Sequence, residues 1–190
     1  MAYGSKKVAP GVTKFIELKD TPDSYTGQAG KLDYVKTAED GLEFLGQKAV
    51  GFKSAARAYL GTAWSLPSGA WTVIPLDTEN FDTLGEFDPS THRFTAQEAG
   101  AYLVVGEMKI SAAAVDGQRM GAVLYVNGSV VTDNMASAGA AVAYLGCAIL
   151  DVLNLAAGDY IELKGMQDSG AAQALHNQTQ STFLSVHRIG

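Results

Sequence analysis

The sequence predicts an all-β fold: a single jelly-roll β-sandwich head over residues 51–190, preceded by a short β/extended anchoring arm in residues 1–50. Three observations predict this fold. Short apolar stretches recur between turn-forming residues, about eight of them lie beyond residue 54, and no stretch has the sustained 3.6-residue period of an amphipathic helix. That number and spacing of strands is typical of a jelly roll.

The stretch 71–106 has the clearest alternation of strands and turns. Phe87 begins a strand, residues 88–91 (Asp-Pro-Ser-Thr) form a turn, and Phe94 begins the returning edge. A second turn at 98–100 leads into a buried strand. Predicted strands cover residues 55–66, 71–76, 101–110, 120–126, 142–153, 160–166 and 183–189. An Asn-Gly hairpin turn at 127–128 leads into a return strand that starts at 130–132.

Residues 1–50 differ from the rest of the chain in charge and pattern. They contain seven lysines and seven acids, so the whole net charge of -6 belongs to residues 51–190. Residues 1–13 resemble a flexible arm, and two or three short strands are predicted after it, with turns at 21–22 and 40–41. Because so short a unit cannot bury a core of its own, we expect it to dock on a partner.

Composition excludes several classes of function. The acidic net charge leaves no basic field for nucleic acid and no polybasic run for an anionic membrane. A single cysteine, Cys147, excludes an internal disulfide, and it lies in an apolar run where we expect a buried, unreactive side chain. No apolar stretch approaches the roughly 18–20 residues of a spanning helix, and the first residues lack the apolar core of a signal peptide.

The residue types that carry catalysis do not form a recognisable motif. The three histidines, His92, His176 and His187, have neither metal-ligand spacing nor a bracketing pair of carboxylates. The chain has no Gly-x-Ser-x-Gly elbow, no phosphate-binding loop and no zinc pattern. The loop acids at 116, 133 and 168 allow a calcium site or, as we expect, plain solvated carboxylates. We therefore predict no enzyme activity, no cofactor and no metal site.

The spacing of five residues resembles the signature of the complement-one-q globular head, a relative of tumour necrosis factor. Those residues are Asp82, Phe87, Phe94, Gly100 and Tyr102. The chain departs from that pattern at Leu76, Val104 and Gly106. The strand-turn sequences at 123–128, 155–160 and 182–186 also resemble the family, so the resemblance covers roughly residues 53–190. It implies a jelly roll that assembles as a homotrimer, and some members of that family bind calcium.

The aromatic residues of the head allow two interpretations. One is core packing within a single sandwich, which suits Phe94 and Tyr102. The other, implied by the resemblance, is that aromatics line a threefold axis, because an apolar outer face on the first and last strands would mark an interface. The candidate trimer-interface residues are Tyr59, Trp64, Tyr102, Phe183 and Val186.

A second resemblance concerns residues 20–31 and 41–44, with the sequences DTPDSYTGQAGK and GLEF. They are similar to a small module of tailed-phage fibre and other virion structural proteins, where it precedes a trimeric head. The resemblance implies that this segment attaches the protein to capsid or tail proteins. The candidate anchoring residues are Phe15, Ile16, Leu18, Tyr25, Leu42 and Phe44.

Together these features predict a non-enzymatic bacteriophage structural protein at the virion surface. The favoured form is a capsid decoration, or head-fibre, trimer. The alternative is a tail-fibre or receptor-binding tip that recognises a host-surface glycan or protein through loops 112–118, 134–141 and 167–180. A depolymerase would need a pair of carboxylates in a groove, and it is the least favoured of the three.

Overall fold

The structure is a computed structural model that describes residues 54–190, together with two strands in the preceding segment. The chain divides into two units, Met1–Phe52 and Lys53–Gly190. In the first unit, β1 (Leu32–Val35) pairs antiparallel with β2 (Leu42–Leu45). Of the candidate anchoring residues, Leu42 and Phe44 belong to β2, whereas Phe15, Ile16, Leu18 and Tyr25 lie outside the described residues.

All regular elements of residues 54–190 are strands. They are β3 (Ala55–Tyr59), β4 (Ser65–Leu66), β5 (Thr72–Val73), β6 (Thr78–Asp82), β7 (Phe87–Asp88), β8 (Arg93–Thr95), β9 (Gly100–Lys109), β10 (Arg119–Val126), β11 (Ser129–Ser137), β12 (Gly146–Leu155), β13 (Tyr160–Gln167), β14 (Gln173–Ala174) and β15 (Phe183–Arg188). The all-β prediction is confirmed.

Two antiparallel sheets form the sandwich. One sheet has the order β12-β9-β15-β3-β6, and the other has the order β11-β10-β13-β8-β7 with β5 added against β13. Strands that are distant in sequence are neighbours, since the last strand, β15, lies between β9 and β3. The short strands β4 and β14 form a separate pair. This non-sequential order is the jelly-roll arrangement that the sequence predicts.

The core lies between the two sheets, and β9 shows how the sequence builds it. Its residues alternate strictly between buried and half-buried positions, as a strand with one face on a core requires. Tyr102, Val104 and Met108 point inward, and Tyr102 packs edge-on against Phe94 of the other sheet with ring centroids 5.8 Å apart. The Tyr102 hydroxyl donates a 2.7 Å hydrogen bond to the Glu98 carbonyl, so the buried phenol is satisfied.

Several element borders differ from the predicted ones. The first strand of the head ends at Tyr59, and β6 lies in a stretch that the sequence suggested to be a turn-rich connection. β11 includes the predicted start of the return strand at 130–132 and runs on to Ser137. β6 and β11 are edge strands with mostly exposed residues, so neither has the alternation that identifies a half-buried strand.

The predicted hairpin turn is confirmed. Asn127 and Gly128 have φ angles of 51° and 79°, the pair of left-handed conformations that a tight turn between twisted strands needs. The Asn127 side chain donates to Asp159 and accepts from the Tyr160 backbone N–H, which ties this turn to the neighbouring one.

Candidate functional site

The outer face of the five-stranded sheet β12-β9-β15-β3-β6 carries apolar side chains where a solvated sheet face would be polar. Residues opposite one another in an antiparallel ladder share a face, so the register defines this surface. We call it the apolar face and define it by seven residues: Tyr59, Phe81, Leu103, Val105, Leu150, Val152 and Phe183.

Three rows of residues make up the apolar face. Val152 lies opposite Leu103, which in turn lies opposite His187. Leu150 lies opposite Val105 in the next row, which continues across Ser185 to Arg57 and Phe81. In the third row Phe183 is paired with Tyr59 on one side and with Glu107 on the other. The apolar side chains of β9 and β12 are therefore contiguous, whereas Ser185 and Arg57 separate them from Phe81 in the middle row.

The outermost part of this surface is strongly exposed. Leu150 is 63% exposed and Val152 is 53% exposed, and Phe81 at the opposite edge is also exposed. Single exposed apolar residues are ordinary, but a contiguous apolar patch on a folded domain marks an interaction surface.

The few charged groups on this surface are held in place. The Arg57 guanidinium stacks on the Phe183 ring at 4.1 Å and donates to the Asn80 side chain and the Thr179 carbonyl. Burial lowers the pKa of Arg57 from its ordinary value, and the attraction of Glu107 acts in the opposite direction. The Arg57 guanidinium therefore covers part of the Phe183 ring. The part of the apolar face that β9 and β12 form stays apolar.

A second apolar surface borders the first. Strand β11 is the edge of the other sheet, and its Val130, Val131 and Met135 are exposed. Its polar side chains bond across to the edge of the apolar face: Asn134 donates to the Ala148 carbonyl at 2.7 Å, and the Thr132 hydroxyl donates to Asp151. The β11 edge and the apolar face thus meet along β12.

Of the candidate interface residues, Tyr59 and Phe183 lie side by side on the apolar face. Tyr102 and Val186 are 0% and 1% exposed and belong to the core of this chain, so a contact of these two with another copy stays a prediction. A shift of one residue along a strand reverses the side on which a residue lies, and it is their neighbours Leu103 and Ser185 that lie on the outer face. Trp64 lies in the segment between β3 and β4 and packs partly buried against the core.

Five residues of the apolar face were missed: Phe81, Leu103, Val105, Leu150 and Val152. The sequence contained a signal for two of them. β12 is apolar at consecutive positions from Cys147 to Leu150, which is expected only when both faces of a strand are covered. The core buries one face of β12. The apolar Leu150 and Val152 on its other face therefore indicate a surface that a binding partner buries.

The described residues do not form a catalytic or metal centre. No group of three or more His, Cys, Asp or Glu residues that could hold a metal ion occurs in the part of the chain that the structure describes. His92, His176 and His187 lie apart, beside Leu76, Tyr144 and Phe81 respectively. Burial raises the pKa of the Cys147 thiol, which disfavours the reactive thiolate. Within those same residues, no helix is long and apolar enough to cross a membrane.

Comparison by sequence finds no matching family model and no matching curated protein. Comparison by structure finds the fold. Murine APRIL at pH 8.0 is 18% identical with a TM-score of 0.56, and the alignment covers 72% of this chain and 99% of that one. The Eiger tumour necrosis factor from S. frugiperda is 14% identical with a TM-score of 0.54, over 73% and 93% of the two chains.

The globular domain of zebrafish complement 1qA is 15% identical with a TM-score of 0.56, over 73% of this chain and 98% of that one. These neighbours match nearly their whole length to the head, and the predicted resemblance in fold is confirmed. Residues 54–190 therefore have the jelly-roll fold shared by tumour-necrosis-factor ligands and the complement-one-q head.

Proposed function

We propose that the protein is a non-enzymatic structural protein whose heads assemble into a homotrimer through the apolar face. One observation carries the proposal: Leu103, Val105, Leu150 and Val152 form a contiguous apolar surface on the outside of a sheet. Covering such a surface gains roughly 25 cal/mol for each Å² of apolar area removed from water.

The two apolar surfaces favour a ring over a face-to-face dimer. If the β11 edge of one copy covers the apolar face of the next, the contact is between two different surfaces. The first copy then keeps a free apolar face, and the second keeps a free β11 edge. Such a heterologous contact is satisfied only when the copies close into a ring. The likeness in fold and in sequence spacing to trimeric jelly-roll heads supports a ring of three.

The finer proposal concerns where the trimer acts. We propose that residues 1–50 attach it to the surface of a tailed-phage particle, with a decorated capsid favoured over a tail-fibre tip. The similarity of residues 20–31 and 41–44 to virion structural modules supports this, as does the separation of the chain into two units near residue 52.

Light scattering tests the trimer, since three chains of 19.9 kDa give about 60 kDa. The full chain and residues 51–190 are both expected to be trimers, and a monomeric full chain contradicts the proposal. Particles made without this protein then test the location. Purified full-length protein should bind intact capsids, whereas residues 51–190 should not. Uptake by tails alone would instead support the receptor-binding alternative.

A further inference from the structure

A hollow of about 210 Å³ lies beside the end of β3. Its wall comes from three separate parts of the chain: the segment after β3, the segment before β6, and the turn between β7 and β8. The lining residues are Leu60, Thr62, Ala63, Trp64, Pro75, Asp77 and His92. The hollow is smaller than the roughly 300–1,000 Å³ of a drug-sized site, so it fits a ligand of about one ring in size.

The floor of the hollow is apolar and rigid. Leu60 is a fully buried core residue, and the Trp64 indole packs on the core beside it. The backbone around them is fixed, because the Leu60 N–H donates to the Thr182 carbonyl and the Leu175 N–H donates to the Trp64 carbonyl. An aromatic side chain in such a floor offers a flat, electron-rich surface.

Asp77 places a negative charge at the rim. Its carboxylate accepts hydrogen bonds from the backbone N–H groups of Gly61 at 2.6 Å and Thr62 at 3.0 Å, and from the Thr78 hydroxyl at 3.0 Å. Desolvation acts to raise the pKa of Asp77, but the hydrogen bonds from Thr62, Gly61 and Thr78 outweigh it and the net pKa is lowered. The carboxylate is therefore ionised at neutral pH, and it places a negative charge beside the hollow.

His92 closes another side of the hollow. It has φ of 60°, a left-handed conformation that is uncommon for any residue but glycine. The turn holds it there, since the His92 N–H donates to the Asp88 carbonyl at 2.8 Å. The ring Nδ1 lies 2.9 Å from the Leu76 carbonyl oxygen, and this contact fixes the orientation of the ring.

From this arrangement we infer that the hollow binds a small organic ammonium ion. The lining combines an ionised carboxylate with an indole, and it contains no lysine or arginine. A carboxylate and an aromatic surface both attract a cation, and the apolar floor suits its carbon substituents. The net charge of -6 adds a long-range attraction for cations.

A neutral sugar is the main competitor, because sugar rings also stack on indoles. Sugar hydroxyls both donate and accept, and sites that hold them supply donors as well as acceptors. Here the backbone N–H groups of Gly61 and Thr62 and the hydroxyl of Thr78 are already used by Asp77. The hollow therefore favours a ligand that brings the positive charge or the donors itself.

Choline is a suitable probe, and 3,3-dimethylbutan-1-ol is its neutral control of nearly the same shape. Binding is followed by the fluorescence of Trp64 in the full chain with Trp71→Phe, which removes the only other tryptophan. Choline should produce a saturable change and bind at least about tenfold more tightly than the alcohol. Asp77→Asn should weaken choline binding about tenfold, whereas Asp116→Asn, which removes the same charge from an exposed loop, should not.

Three results would overturn the inference. Choline and the alcohol could bind with equal affinity, or methyl α-glucoside could bind where choline does not. Asp77→Asn and Asp116→Asn could also lower the affinity for choline by the same factor. Absence of any saturable change with choline would overturn it as well. If Asp77→Asn fails to fold, the affinities of the Trp71→Phe chain for choline and for the alcohol still test whether the hollow prefers a cation. The inference does not depend on the trimer, whose test is the mass in solution.

Discussion

Leu150→Lys should dissociate the proposed trimer without unfolding the head. Leu150 is the most exposed residue of the apolar face, at 63%, and it lies opposite Val105 in the middle row. In the monomer a lysine at this position projects into water, so the fold tolerates it. In the trimer the ammonium group must either enter an apolar contact or hold it open.

The structure sets the size of the effect. Burying a whole leucine side chain stabilises by about 1.5–3 kcal/mol, and 63% of this one remains to be covered. The loss is therefore about 1–2 kcal/mol for each copy and roughly 3–6 kcal/mol for a trimer. Since every 1.4 kcal/mol is a factor of ten, the trimer dissociation constant should rise by about 10²- to 10⁴-fold before any cost of burying the charge.

Sedimentation equilibrium over a range of protein concentrations measures this constant directly. The matched control is Val115→Lys, because Val115 is also 63% exposed but lies in the loop between β9 and β10. The control should stay at about 60 kDa where Leu150→Lys falls towards the monomer mass of 19.9 kDa. Circular dichroism should show the same β spectrum for both variants.

Two results would refute this reasoning. If Leu150→Lys keeps the dissociation constant of the unmodified chain, the apolar face is not the interface. If Val115→Lys dissociates the protein as strongly as Leu150→Lys, added charge rather than a specific surface controls assembly. A further variant, Val152→Lys, should behave like Leu150→Lys, because the two residues lie two positions apart on the same face of β12.

The remaining predictions concern the core, acid stability and the buried thiol. Tyr102→Ala should lower the free energy of unfolding by about 3–5 kcal/mol in urea titration, because it removes a fully buried ring. Backbone and side-chain hydrogen bonds from Arg119 lower the pKa of Asp168. The stability that Asp168 contributes is thus present above its unfolded pKa of about 3.9 and lost as pH falls through the folded value. Asp168→Asn should therefore be less stable than the unmodified chain at pH 7, with a difference that shrinks below about pH 4 in thermal melts. Cys147 should react with Ellman's reagent far more slowly in the native protein than in urea.

Each of these predictions has an outcome that contradicts it. If Tyr102→Ala dissociates the protein at unchanged unfolding stability, Tyr102 acts at an interface after all. A stability difference for Asp168→Asn that is constant from pH 7 to pH 3 shows that the carboxylate bonds contribute nothing. Rapid modification of Cys147 in the native state shows that β12 opens, since the thiol is buried there beside the Asn134 carbonyl.

The sequence determined the class of fold and the turns. The apolar run that follows the turn at 98–100 identifies β9 as a strand, and Asn127-Gly128 identifies a hairpin and the start of its return strand, because these signals depend only on neighbouring residues. The same local rules missed β6 and the extent of β11. The exposed residues there leave no hydrophobic period, and only the pairing with β3 and β10 makes them strands.

Only the tertiary structure decided which face of a strand looks outward. A period of two in β9 and β15 separates Tyr102 from Leu103 and Val186 from Ser185, but it does not say which member of each pair meets the other sheet. That choice follows from the pairing of β15 between β9 and β3, contacts that join residues more than 75 positions apart. The hollow likewise depends on three distant segments that meet at Trp64, Asp77 and His92. Local pattern fixes how a strand is built, whereas long-range packing fixes which surface remains for a partner.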